Sequence, residues 1–142
     1  MNRRDWVLLA LQCAGGHGLS PVQLQKSLFL LGAEMRGQLP GEFYDFIPHN
    51  YGPFAKQIYQ DAEILAGEGL VAIERKEQSF PTYTITAAGD ERAREVRREA
   101  PAPVLQYLAE AIAWTQRQSF QGLIRAIYDK YPQYRVNSVF QY

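Results

Sequence analysis

Cys13 is the only cysteine in this 142-residue sequence, and His17 and His49 are its only histidines. Cys13 and His17 stand four apart, a spacing that could place two ligands on one helical face. Gly15 and Gly16 lie between them and break the helix that would do so. No His-x-x-x-His or Cys-x-x-Cys pair exists, so no metal site is expected. Gly15-Gly16-His17-Gly18 is rich enough in glycine to suggest a phosphate loop. It follows a helical segment rather than a strand, however, and lacks the Lys-Ser/Thr pair, so it reads as a linker. Asp45, His49 and Tyr51 share one segment and are of the types that exchange protons. Their aromatic neighbours make them read as polar loop residues beside anchors. No catalytic residue and no cofactor is expected, and the chain reads as something other than an enzyme.

Charge narrows the remaining choices. Lys plus Arg and Asp plus Glu are both 15, giving a formal net charge of zero. Phosphate neutralisation needs a basic excess on at least one face, so bulk charge does not favour nucleic acid. Hydrophobic residues at 46% and charged residues at 21% suit a globular chain that buries a core without staples. One cysteine allows no internal disulfide, which fits a reducing compartment. The early apolar run, Val7 to Leu11, is too short for a signal-peptide core, and no later segment approaches a membrane span. A cytoplasmic location without a membrane partner is expected.

The elements that must position these residues follow from periodicity and caps. A first helix is expected over residues 3–14, with Trp6, Leu9 and Cys13 at helical spacing, so Cys13 reads as a core position. Ser20-Pro21-Val22-Gln23 is a capping box with proline at the first helical position. Leu24, Leu28, Leu31 and Met35 continue it as a helix buried on more than one side. Residues 37–52 read as irregular, with Gly52-Pro53 as a cap and first-turn proline opening a third helix. Phe54, Ile58, Ala62 and Leu65 form that helix's inward stripe. Residues 70–73 and 83–86 alternate as two strands of a hairpin, with the tip near Lys76 to Ser79 as a wing. Thr86 caps a fourth helix, and Ser119 caps the last of two more after Pro101-Ala102-Pro103. The expected fold is mainly α with a small β-hairpin. A winged-helix core spans residues 1–100, and a C-terminal helical extension over 101–142 packs on it as part of one domain.

Several pieces carry a family resemblance: Leu24-Gln25-Lys26-Ser27-Leu28-Phe29-Leu30-Leu31, Phe46-Ile47-Pro48-His49-Asn50-Tyr51-Gly52-Pro53-Phe54, Leu65 with Gly69-Leu70-Val71, Tyr83 to Gly89, and Tyr131-Pro132-Gln133-Tyr134 with Asn137-Ser138. With these the chain resembles the Panacea (SocA-like) antitoxin domain and its YwgA-like relatives. Ser27 and Phe29 stand where the pattern has Leu and Tyr, nearer the YwgA-like branch. The resemblance implies binding to a protein partner, typically a toxin encoded beside it, or a role in phage or defence loci.

Two surfaces follow as candidates. Phe43, Tyr44, His49 and Tyr51 are the expected protein contacts, with Tyr44 and His49 exposed and Phe46 and Phe54 covering the core. For a winged helix that reads DNA, the contacts would be Lys56, Gln57, Tyr59 and Gln60 on the third helix, with Arg75 and Lys76 at the wing. Asp61 and Glu63 on that helix oppose a phosphate-lined groove, so a protein partner is preferred over DNA. A homo-oligomer stays compatible with either.

Overall fold

The structure, a computed structural model, describes residues 1–140. The first helix, α1 (Asp5–Ala14), is buried on almost every side: Trp6 to Leu11 have no more than 1% exposure. A helix apolar all round belongs at the centre of a core, not on its surface. The second, α2 (Pro21–Met35), starts at the expected capping box. The Ser20 hydroxyl accepts from the Gln23 amide at 3.2 Å, and the Gln23 side chain accepts from the Ser20 amide at 2.9 Å. Every residue from Leu24 to Gly32 is buried, including Gln25, Lys26 and Ser27.

After α2 the chain differs from expectation. Residues 37–52 do not stay irregular, and Gly52-Pro53 does not open a helix. Instead a small hairpin forms from β1 (Ile47–His49) and β2 (Gly52–Phe54), with Pro48 opposite Pro53 and His49 opposite Gly52. Proline has no amide hydrogen, so two facing prolines suit the non-hydrogen-bonded rung of an antiparallel pair. The third helix, α3 (Lys56–Gly67), begins three residues after Pro53, with Ala55 at its cap.

The second hairpin is the one the alternation predicts. β3 (Val71–Glu74) and β4 (Thr82–Ile85) pair antiparallel, Val71 with Ile85 and Ile73 with Tyr83. Leu19 adds a bridge to its edge, exchanging backbone hydrogen bonds of 2.9 and 2.8 Å with Tyr83. Gly18 therefore does more than link. Its φ is +66°, and a Cβ there would come within 2.2 Å of the Tyr83 carbonyl oxygen. Thr86 caps α4 (Ala87–Arg97), accepting from the Gly89 amide, and Ser119 caps α6 (Phe120–Lys130) in the same way from Gly122.

Over the described residues the chain is thus mainly helical with two small two-stranded antiparallel sheets. Between α4 and α6 lies α5 (Ala102–Arg117), whose Val104, Leu108 and Ile112 enter the same core as α1 and α2. The last helix builds a second apolar cluster on the outer side of α2, where Leu123 and Ile127 meet Phe29 and Leu30. The final positions of the expected extension, 141 and 142, lie outside the described residues.

Candidate functional site

Three of the segments that carry the family resemblance, 24–31, 46–54 and 131–138, lie far apart in sequence and meet at the β1–β2 hairpin. In the Pro48–Pro53 rung both carbonyls face away from the opposite strand, so each needs a partner from elsewhere. The Lys26 ammonium donates to the Pro53 carbonyl at 2.9 Å, and the Asn137 amide to the Pro48 carbonyl at 3.4 Å. Gln25 clamps the end of β2, donating to the Ala55 carbonyl at 2.8 Å while accepting from the Ala55 amide at 3.0 Å. At the turn, the Asn50 carbonyl accepts from the Val139 amide at 2.9 Å and from the Ser138 hydroxyl at 3.3 Å. Tyr128 donates in turn to Ser138 at 2.6 Å. Nearly all these ties grip the hairpin backbone, which leaves its side chains free to project.

Those side chains form the candidate surface. His49 is exposed and stacks on Phe54, ring centroids 4.6 Å apart. Tyr51 is 41% exposed and meets the edge of Phe120, itself exposed at the start of α6. Phe120 also approaches Phe140, and Ile47 projects at 58% exposure. The result is an apolar, partly aromatic rim on a backbone fixed from three directions. Asp45, by contrast, faces Arg36 at 3.5 Å, so Asp45, His49 and Tyr51 each have a separate partner.

Tyr44 requires a correction. It is not an exposed anchor but one of the largest fully buried side chains, with 1% exposure. Its hydroxyl donates to Asp61 at 2.6 Å, and Asp61 also accepts from Arg3 at 3.0 and 3.2 Å. Burial, followed by the Asp61 carboxylate, pushes the phenol's pKa upward and keeps it a donor. The cause lies on α3. Asp61 sits on that helix's inward stripe between Ile58 and Leu65, and a carboxylate buried there needs donors. Tyr44 and Arg3 supply them. Phe43 is half-buried, edge-on to Trp6 and beneath the Arg36 guanidinium, so it closes the core more than it offers a contact.

The residues expected to face DNA divide as well. Lys56, Gln60 and Lys76 are exposed, and Gln57 is half-buried. Tyr59 lies against Phe54 and the core, with burial raising its pKa, so it does not face a groove. Arg75, just after β3, forms an exposed ion pair with Glu63 on α3. Cys13 is half-buried against the core, and burial pushes its thiol up, away from a reactive thiolate.

Sequence reading missed four side chains that hold the hairpin: Gln25, Lys26, Asn137 and Ser138. The signal was present for two of them, since polar residues among nine consecutive buried positions of α2 demand partners. No family model and no curated protein matches this chain. Among the described residues, no helix is long and apolar enough to cross a membrane.

Proposed function

We propose that this protein is a non-catalytic, cytoplasmic binding module that recognises another protein through the β1–β2 hairpin and the adjoining start of α6. The observation that carries the reading is a rigid backbone presenting exposed Ile47, His49 and Tyr51 beside Phe120. Pre-ordering lowers the entropy cost of association, and aromatic anchors bury large areas with few rotors. The family resemblance, resting on the quoted residues alone, gives the partner's class: a toxin encoded in the neighbouring gene. The core of residues 1–100, read as a winged helix, then serves as a scaffold for presentation. DNA is the weaker reading, because Arg75 is engaged by Glu63 and Tyr59 packs inward.

Co-expression tests this directly. The neighbouring gene product is expressed alone and with this chain, and growth is measured. Rescue by the wild type, lost in Tyr51→Ala and Ile47→Asp variants that melt normally, is the expected result. No toxicity, or rescue that both variants retain, overturns the reading. Recovery of specific DNA at near-physiological salt, without a protein partner, favours the regulator instead.

A further inference from the structure

A groove of about 330 Å³ runs between α5 and α6, away from the hairpin, with Leu30 of α2 among its lining residues. That size is at the lower end of small-molecule sites. Leu30, Ala111 and Ile127 give it apolar walls, and Tyr107, Trp114 and Tyr131 add three aromatic rings. Aromatic faces attract cations, and the chain already shows the effect: the Lys130 ammonium stands 5.6 Å from the Tyr131 ring centroid.

The charges at its mouth are unequal. Lys130 is tied to Glu34 at 2.8 Å, and Glu34 also accepts from the Tyr131 hydroxyl, which fixes that ring. Glu110 is exposed on α5 and, among the described residues, receives a single long hydrogen bond, from Gln106 at 3.4 Å. The lining thus carries one carboxylate, Glu110, and one ammonium, Lys130. The Glu34 carboxylate behind the wall offsets Lys130, which leaves the charge of Glu110 in excess. The field of the two carboxylates reaches inward: burial, then Glu34 and Glu110, push the Tyr107 phenol up to about 12.

From the aromatic walls and the carboxylate excess, we infer that this groove binds a small organic cation with a flat apolar body, of the arylalkylammonium type. The ring system lies against Trp114 and Tyr107, and the ammonium pairs with Glu110 at the mouth. This site is independent of the protein-binding hairpin.

The probe is 2-phenylethylammonium, followed by the indole N–H signals of the two tryptophans in an NMR titration. Trp6 is fully buried and bonded to the Glu42 carbonyl, so it serves as the internal control. A saturable shift of Trp114 alone is expected, with Kd on the order of 1 mM for so small a ligand. The isosteric anion 3-phenylpropanoate should give no such shift at equal concentration. Glu110→Gln should weaken the cation about tenfold, and Lys130→Met should tighten it, both with unchanged melting. Absence of saturation, equal binding of the anion, or indifference to Glu110→Gln overturns the inference.

Discussion

The two halves of the segment from Phe43 to Phe54 have similar composition and opposite fates. In the first half, Tyr44 is held at both ends: its hydroxyl completes the Asp61–Arg3 network, its carbonyl accepts from Arg36 at 2.8 Å, and its ring is buried. In the second half, the chain is held by its backbone, through Lys26, Asn137 and Ser138, while Ile47, His49 and Tyr51 project outward. Aromatic content alone does not mark a binding surface. What decides is whether the ring's polar tip finds a partner inside the core, as Tyr44 does in Asp61.

The sharpest way to break this contrast is Tyr44→Ala. Removing a fully buried ring and stranding Asp61 should lower stability by about 3–5 kcal/mol in a denaturant titration. Tyr44→Phe should lose roughly 1–3 kcal/mol, the portion due to the hydroxyl. A Tyr44→Ala protein that melts like the wild type would erase the distinction between the halves.

Lys26 tests the backbone-held half. Burial lowers its pKa to about 7 in the folded protein, from 10.5 for the free side chain. The unfolded chain therefore binds more protons between those values, so stability rises with pH across that interval. This contribution reaches at most about 1.4 kcal/mol per pH unit. Below pH 7 both states are charged and the penalty is constant. Lys26→Met should remove this rise. Melting of both proteins from pH 6 to 10 checks it, and a parallel pair of curves would contradict the assignment.

Smaller effects refine the picture. Gly52 has φ +98°, and a Cβ there would stand 3.2 Å from the Tyr128 ring. Gly52→Val should cost on the order of 1–3 kcal/mol by strain and crowding, read from thermal melting. Tyr51→Ala should change stability by less than about 0.5 kcal/mol, yet abolish rescue in the co-expression assay. A large melting shift for Tyr51→Ala would move that residue to the same class as Tyr44.

Much of this was legible in the sequence where local chemistry decides. Ser20 with Gln23, Thr86 and Ser119 name their helix starts because a cap needs only neighbours a few residues away. The β3–β4 hairpin was visible because Val71, Ile73, Tyr83 and Ile85 alternate. The first hairpin was hidden, since its strands have three residues each and contain Pro48, Gly52 and Pro53, which read as breakers. Ties from residues distant in sequence, Gln25, Lys26, Asn137 and Ser138, hold such a pair together. Tyr44 was misjudged for the same reason: its partner Asp61 lies on a different element, and composition cannot express that pairing.

The burial of α1 has a consequence in time. The helix that helps enclose it, α5, is synthesised almost a hundred residues after it; Gln116 on α5 even donates to the Ala14 carbonyl at 3.1 Å. At ordinary synthesis rates that interval is on the order of 5–20 s. Through it, the run Trp6-Val7-Leu8-Leu9-Ala10-Leu11 lacks part of its native cover, long enough for a chaperone to bind.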